Sequence, residues 1–248
     1  MAAWGSAGSR PLVIGHRGAS AHATENTLAA FRRARADGAD GVELDVAQCL
    51  TGEVVIFHDD TLARLAGRPE AIGHLSLAAL REVRLTGGGE SIPTLDEALE
   101  ELDTMLVNVE IKVPITSPGH ALAEATAAVL RRHATGTRAL VSSFHPVALA
   151  LFRVRAPSVP TGLLFGPEQS KPLREAWSRK ALRPLALHPS KDLASERTVG
   201  AWRREGYAIN VWTVDGVEQV SRVAALGVDG IITNDPAATR AILEGKGR

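Results

Sequence analysis

One feature constrains the fold more than any other: short apolar runs alternate with longer segments rich in Ala, Leu and Arg along the whole chain. Such alternation is typical of repeated βα units around a parallel sheet. Eight βα units within 248 residues favour a closed (β/α)8 TIM barrel, an α/β fold, over an open doubly wound sheet. We therefore expect a single domain spanning residues 1–248. The predicted strands lie at about residues 12–15, 41–46, 106–112, 139–143, 161–165, 184–188, 208–213 and 230–233.

The segment after the second predicted strand breaks this rhythm. It reads GVELDVAQCLTGEVVIFHDD, with Thr51 and Gly52 between two strand-like runs, and it predicts a β-hairpin. A two-residue turn at these positions would place Asp45 opposite His58. The hairpin opens an insertion at about residues 47–92, between the second strand and its helix.

Two helices in this region have recognisable beginnings. Within the insertion, Ser76 is the expected N-cap of a short helix at residues 77–83. After the insertion, Thr94 and Glu97 form a capping-box pattern. We expect the helix that follows the second strand to begin there.

Charge and cysteine content exclude several classes of protein. The 28 Lys and Arg residues balance 28 Asp and Glu residues, so the chain lacks the basic field of a nucleic-acid binder. Its only cysteine, Cys49, excludes an intrachain disulfide framework. The sequence shows neither a signal peptide nor the roughly 18 apolar residues of a transmembrane helix. We expect a cytoplasmic protein, monomeric or homodimeric, without stable membrane association.

Charged residues and histidines fall near the carboxyl ends of the predicted strands, where a (β/α)8 barrel has its active site. His16 precedes Arg17, whose planar guanidinium suits a phosphate, and Gly18, which lets a ligand approach the backbone. A lone histidine is more often a satisfied loop residue than a functional one, but this setting favours function. The hairpin folds His58 back toward the same edge.

Three carboxylates lie on strand-like segments. Glu43 and Asp45, two residues apart in GVELDV, project from one face of a strand, and Glu110 is in the apolar segment LVNVEIK. One interpretation is a salt-bridge network with Arg17 and Lys112. We favour metal binding, because three carboxylates near one lysine leave excess negative charge that a divalent cation cancels. Oxygen ligands suit Ca²⁺ or Mg²⁺, with Mn²⁺ as a further candidate.

Four other residues each have two interpretations. Lys112, two residues after Glu110, either pairs with a site carboxylate or stabilises charge on a phosphoryl group. Trp212, near the end of a strand, is either a core residue or an apolar wall of the substrate pocket. For His145 and His188, each followed by proline, a loop or capping role is favoured.

Motifs along nearly the whole chain resemble those of the glycerophosphodiester phosphodiesterases. They occur in the order HRGAS, TENTLAAF, GADGVELDV, VVIFHDDTLARL, LSLAALREV, IPTLDEAL, VNVEIK, VSSF, VWTVD and GVDGIITNDP. The resemblance implies a (β/α)8 barrel with an insertion after the second strand. The chain departs from the family pattern at Thr24, Leu65 and Asp215. These departures affect the shape of the pocket and remove none of the candidate ligands or histidines.

The resemblance also implies roles for the candidate residues. It implies four groups: the metal ligands Glu43, Asp45 and Glu110; the catalytic pair His16 and His58; the phosphate contacts Arg17 and Lys112; and an acidic-amide pair after the first strand, Glu25 and Asn26.

Residue chemistry and resemblance together predict metal-dependent hydrolysis of small-molecule glycerophosphodiesters to sn-glycerol 3-phosphate and an alcohol. One histidine would remove a proton from the nucleophile, and the other would protonate the leaving alkoxide. The nucleophile is either water or the neighbouring glycerol hydroxyl, which would first form a cyclic phosphate. The alternatives are a lysophospholipase D-type phosphodiesterase and a non-catalytic barrel that binds a phosphoryl ligand. The presence of both histidines disfavours the non-catalytic barrel.

Overall fold

The computed structural model describes residue 4, residues 10–113 and residues 119–245. The strands in these residues are β1 Leu12–His16, β2 Gly41–Gln48, β3 Val54–Ile56, β4 Leu106–Ile111, β5 Ala139–Ser143, β6 Thr161–Phe165, β7 Ala186–Pro189, β8 Ala208–Val211 and β9 Gly230–Thr233. All of them except β3 run parallel to their neighbours, in the order β1-β2-β4-β5-β6-β7-β8-β9, and β9 pairs with β1. The sheet therefore closes on itself, and the predicted (β/α)8 barrel is confirmed.

Helices follow the strands around the outside of the barrel. Both expected helix beginnings are confirmed: Ser76 caps the helix Leu77–Arg81, and a capping box lies at the start of the helix Leu95–Glu101. The α-helices of the described residues are α1 Leu28–Ala36, α2 Ala63–Ala66, α3 Leu77–Arg81, α4 Leu95–Glu101, α5 His120–Arg132, α6 Pro146–Arg155, α7 Lys171–Arg174, α8 Arg179–Leu182, α9 Glu196–Arg204, α10 Val217–Ala225 and α11 Pro236–Leu243. Short 3₁₀ helices lie at Ile72–His74, Gly136–Arg138 and Lys191–Leu193.

Alternate residues of each barrel strand point inward and stack in layers. An apolar layer contains Ile14 of β1 and Ile232 of β9, packed with Trp4. Toward the carboxyl ends, four of the strands carry polar, fully buried residues at the next inward position: Asn108, Ser142, His188 and Asn210. The last inward positions lie at the barrel mouth, each two residues beyond the preceding inward position of its own segment. His16, Glu110 and Trp212 occupy such positions.

The insertion between β2 and α4 is confirmed, and it has an apolar cluster of its own. β3, α2 and α3 belong to it. Its buried side chains are separate from the main core of the barrel and include Phe57, Leu62, Leu80 and Ile92. The insertion therefore has a packed interior that can hold polar residues in place above the barrel mouth.

The hairpin is confirmed, but its predicted register is wrong by one residue. β3 runs antiparallel to β2 with Val46 opposite Ile56, and the Phe57 N–H donates to the Asp45 carbonyl at 3.0 Å. Asp45 therefore lies opposite Phe57, and His58 follows one position later. A shift of one residue exchanges the two faces of a strand.

The turn accounts for this shift, because its loop has three residues rather than two. The Cys49 N–H donates to the Glu53 carbonyl at 3.1 Å, and the Gly52 N–H donates to the Cys49 carbonyl at 3.0 Å. Gly52 has a φ of +99°. This is the pattern of a tight turn followed by a residue with positive φ, the common three-residue hairpin connection.

Within the described ranges, no helix combines the length and the apolar character that a membrane crossing needs.

Candidate active site

The site residues predicted from sequence come together at the carboxyl ends of the strands. A cavity of about 290 Å³ lies there, and Asn108, Phe144, Leu164, Thr213 and Ile232 contribute to its lining. A larger open groove of about 640 Å³, at the amino ends of β6, β7 and β8, contains none of the predicted residues. The predicted residues that line the smaller cavity are His16, Arg17, Glu43, His58, Glu110, Lys112 and Trp212.

Three carboxylates form a compact cluster at this cavity. Asp45 is the register partner of Glu110 in the β2–β4 pairing, and Glu43 lies two residues before Asp45 on the same face. One oxygen atom from each residue lies within 4.8 Å of the others, and all three residues are buried. A set of oxygen ligands at this spacing fits a hard divalent cation.

The electrostatics of the cluster support the same interpretation. Burial, together with the charges of Asp45 and Glu110, raises the pKa of Glu43 well above its usual range. Burial and the Asp45 charge raise the pKa of Glu110 to about 8. Oε1 of Glu43 is buried and has no hydrogen-bond partner among the residues that the structure describes. Nearby positive charge therefore compensates the carboxylates only in part, and a divalent cation would supply the remainder.

Arg17 extends across the cluster from a strained backbone position. Its φ is +56°, and its backbone N–H donates to Oε2 of Glu43 at 2.9 Å. The side chain donates from Nη1 to Glu25 at 2.7 Å, and its Nε lies 3.2 Å from Oδ2 of Asp45. The salt-bridge interpretation of the carboxylates therefore holds for Arg17. One arginine among three carboxylates still leaves net negative charge.

Asn26 holds one of the cluster's carboxylates in place. Its side chain is almost fully buried, its Nδ2 donates to Oδ2 of Asp45 at 2.9 Å, and its Oδ1 accepts from the Asp45 N–H at 3.2 Å. Asn26 has a φ of +58°, a conformation that Asn adopts more readily than most residues. The pair of hydrogen bonds fixes the orientation of the Asp45 carboxylate.

His16 faces the cavity from the end of β1. Its Nδ1 lies 2.8 Å from Oδ1 of Asn234, and its Nε2 lies 3.9 Å from Oε2 of Glu43. Burial, reinforced by the charge of Arg17, lowers the pKa of His16 below its usual value. A neutral His16 that donates from Nδ1 to Asn234 has its Nε2 directed toward the carboxylate cluster.

His58 faces the same cavity from the insertion. Its Nδ1 lies 2.6 Å from Oδ1 of Asp59, and its Nε2 lies 2.6 Å from Nζ of Lys112. With Asp59 accepting from Nδ1, Nε2 is left to accept from the ammonium group of Lys112. Among the residues that the structure describes, Lys112 therefore contacts a histidine rather than a carboxylate.

Trp212 lines the cavity, so the pocket-wall interpretation fits its position. Its ring meets the Phe144 ring edge to face, with centroids 5.4 Å apart. Its Nε1 donates to the His188 carbonyl at 2.7 Å. The hydrogen bond and the ring contact fix the indole as one wall of the pocket.

Sequence reasoning did not identify Asn234 and Asp215 as parts of the site. The Asp215 carboxylate accepts from the Asn234 backbone N–H at 2.8 Å and from its Nδ2 at 2.6 Å, which orients Oδ1 toward His16. The available signal was topological: in a closed barrel β9 lies beside β1, so the residue after β9 adjoins the residue that ends β1.

The two histidines that precede proline have different positions. His145 caps α6 and accepts from the Ala148 N–H at 3.3 Å, which confirms the capping role. The loop or capping role was wrong for His188, which is fully buried inside the barrel on β7. Pro189 is the last residue of that strand, so the proline marks the strand end without placing His188 in a loop.

The chain is similar in sequence to proteins of known class. A model of the Glycerophosphoryl diester phosphodiesterase family matches residues 16–238. A glycerophosphodiester phosphodiesterase of Caldanaerobacter subterraneus is 35% identical over 238 residues, which cover 92% of this chain and 95% of that protein.

Solved structures show the same similarity over nearly the whole chain. A glycerophosphodiester phosphodiesterase of Thermotoga maritima has 33% identity and a TM-score of 0.75, covering 93% of this chain and 97% of that one. A phosphodiesterase of Oleispira antarctica, solved in complex with the product sn-glycerol-3-phosphate, has 27% identity and a TM-score of 0.85. That alignment covers 95% of this chain and 97% of the other.

Proposed function

Because the chain belongs to the glycerophosphoryl diester phosphodiesterase family, it is a phosphodiesterase, and we propose that it hydrolyses small-molecule glycerophosphodiesters to sn-glycerol 3-phosphate and a free alcohol. The observation that carries the proposal is one cavity in which two histidines and two cationic side chains adjoin a carboxylate cluster. The Oleispira antarctica relative binds the same product. In this proposal residues 1–248 act as one catalytic domain.

The proposal includes a divalent cation held by Glu43, Asp45 and Glu110. The donor set is all oxygen, which suits Ca²⁺ or Mg²⁺, with Mn²⁺ as an alternative. When bound, the cation supplies positive charge that neutralises a phosphate oxygen. The buried, unpartnered Oε1 of Glu43 supports this assignment.

Arg17 and Lys112 bind the phosphate in this mechanism. Both side chains line the cavity. Arg17 is held by Glu25, so its planar donor group is oriented before substrate arrives. Lys112 exchanges its contact with His58 for the phosphate when substrate binds. These contacts stabilise the charge that develops on the phosphoryl oxygens.

The two histidines move protons at their Nε2 atoms. One accepts the proton of the nucleophile, and the other donates a proton to the leaving alkoxide. Asn234 and Asp59 hold the Nδ1 atoms of His16 and His58. The Nε2 of His16 is then available, and that of His58 becomes available when Lys112 moves to the phosphate. Trp212 and Phe144 form an apolar wall against the substrate.

The proposal is tested with a substrate panel, with and without chelator. The panel contains glycerophosphocholine, glycerophosphoethanolamine, glycerophosphoglycerol and lysophosphatidylcholine. We expect release of sn-glycerol 3-phosphate, abolished by a chelator and restored by Ca²⁺, Mg²⁺ or Mn²⁺, because without a cation the carboxylate cluster repels the phosphate. Full turnover in metal-free protein contradicts the metal assignment. If lysophosphatidylcholine is the one member of the panel that is turned over, the protein is a lysophospholipase D instead.

Oligomeric state and cytoplasmic location stay predictions from the sequence.

A further inference from the structure

Arg64 lies in α2, within the insertion, and its guanidinium bridges two carboxylates. It contacts Asp59 in bidentate fashion, with Nε to Oδ2 at 2.7 Å and Nη2 to Oδ1 at 3.0 Å. It contacts Glu25 in the same way, with Nη1 to Oε2 at 3.0 Å and Nη2 to Oε1 at 2.7 Å. One side chain therefore joins the hairpin end of the insertion to the loop after β1.

Each of these carboxylates also holds a residue of the site. Asp59 Oδ1 lies 2.6 Å from Nδ1 of His58, and Glu25 Oε1 accepts from Nη1 of Arg17 at 2.7 Å. The contacts run without a gap from His58 through Asp59, Arg64 and Glu25 to Arg17. The chain of contacts thus links a proton-transfer group to a phosphate-binding group.

Only arginine has the donor geometry that this bridge uses. Its planar guanidinium carries five N–H donors in a fixed fork and can hold two carboxylates at once, whereas lysine offers a compact point charge. The Arg64 hydrogen bonds keep Asp59 ionised and lower its pKa to about 2. Although burial opposes it, the pairing with Arg64 and Arg17 also lowers the pKa of Glu25 to about 2. Both carboxylates are therefore permanent acceptors at neutral pH.

We propose that Arg64 is a positioning residue of the phosphodiesterase site, which sets the orientation of His58 through Asp59 and that of Arg17 through Glu25. The inference rests on the proposed function, because it requires His58 to transfer a proton and Arg17 to bind phosphate. It adds that the insertion serves catalysis by holding these two groups at a fixed spacing. Arg64 itself is not among the described residues that line the cavity.

If Arg64 had a purely structural role, its removal would cost a little stability and leave the site unaffected. Its side chain is 47% exposed, and exposed ion pairs contribute little to stability. Arg68 is a matched control in the same insertion: it pairs with Glu70 at 2.7 Å and is 38% exposed, and neither residue contacts the site. The effect of losing an exposed ion pair is therefore measurable apart from any effect on the site.

The first experiment compares Arg64→Gln, Arg64→Lys and Arg68→Gln by kcat and KM on glycerophosphocholine and by melting temperature. We expect Arg64→Gln to lower kcat and to raise KM, each on the order of tenfold, as removal of groups that orient site residues does. Arg64→Lys should recover only part of either loss, because it keeps the charge and loses the fork. Arg68→Gln should match wild type. Full recovery of kcat and KM in Arg64→Lys overturns the proposal, since charge alone would then suffice.

Double-mutant cycles separate the two arms of the bridge. If Arg64 acts through Asp59, Arg64→Gln adds no further loss of kcat in an Asp59→Asn background. If it acts through Glu25, Arg64→Gln adds no further rise in KM in a Glu25→Gln background. Additive effects in both cycles overturn the proposal. An inactive wild type, or a His58→Ala variant with full activity, instead refutes the proposed function.

Discussion

At the scale of single residues, each histidine of the site is anchored at Nδ1, His16 by Asn234 and His58 by Asp59. Anchoring fixes the tautomer, and in the proposed mechanism it leaves Nε2 to exchange a proton with the substrate. We expect His16→Ala and His58→Ala each to lower kcat at least about a hundredfold. The affinity for sn-glycerol 3-phosphate, measured by calorimetry, should change far less.

The acid and the base can be told apart with an activated substrate. A p-nitrophenyl phosphodiester has a leaving group that departs without protonation, so the histidine acting as general acid becomes nearly dispensable while the base does not. Equal losses on activated and natural substrates would show that the pair does not divide these roles.

His188 gives the folded state a pH dependence of its own. It is fully buried, and burial lowers its pKa to about 3 from the ordinary 6.5. Between pH 3 and pH 6.5, His188 therefore binds a proton in the unfolded chain but not in the folded chain. The contribution of His188 to the free energy of unfolding is fully present above pH 6.5. It should fall by about 1.4 kcal/mol per pH unit as the pH decreases toward 3. Urea unfolding between pH 7 and pH 4 measures the slope.

The comparison for that slope is His188→Gln, which has no titratable group at the position. The other histidines and the carboxylates are present in both proteins, so the difference between the two slopes isolates His188. Identical slopes would mean that His188 takes up its proton equally in the folded and unfolded states.

At the scale of secondary-structure elements, the sequence predicted most strands well because the apolar runs of a parallel sheet are bounded by clear breaks. Strands 139–143, 161–165 and 230–233 have the predicted bounds, and the other predicted strands differ by at most two residues at either end. The hairpin register was wrong because a glycine in the turn is compatible with loops of two or three residues. Only the hydrogen bonds of the turn decide between these.

Contacts between distant elements could not be predicted from local pattern. Arg64 and Glu25 are 39 residues apart, and neither lies in an apolar periodicity that would assign it a face. The carboxylate cluster was predictable, because two of its members share one strand face and the third lies on a strand-like segment. The residues that orient the cluster and the histidines could be identified only from the three-dimensional structure.

The loop from β1 to α1 depends on a glycine that no other residue can replace without displacement. Gly18 has a φ of +87°, and a Cβ there would lie 2.7 Å from the backbone of Ala30 in α1. Gly52 has a φ of +99° with no atom within 4 Å of its Cβ position. We expect Gly52→Ala to cost about 1–2 kcal/mol from backbone strain, and Gly18→Ala about 1–3 kcal/mol more from overpacking.

Urea unfolding of the two glycine variants measures both costs, and the difference between them isolates the clash with α1. Equal losses would show that α1 moves freely to accommodate the added methyl group.

At the scale of the whole molecule, the two halves of the barrel contribute different kinds of residue to the site. The strands from β1 to β4 and the insertion carry the carboxylates, the histidines and both cationic side chains. The later strands contribute Asn234, which orients His16, the polar lining residue Thr213 and an apolar lining. That lining consists of Phe144, Leu164, Trp212 and Ile232.

This division makes the enzyme a favourable starting point for directed evolution. A library randomised at Phe144, Leu164 and Trp212 should retain hydrolysis in many members while changing which alcohol is released, because the substitutions leave the reacting groups untouched. Sorting the folded variants on a panel of glycerophosphodiesters checks this, and general inactivity among them would show that the lining also positions the phosphate. Substrate range can thus diversify through one half of the barrel while the other half preserves the reaction.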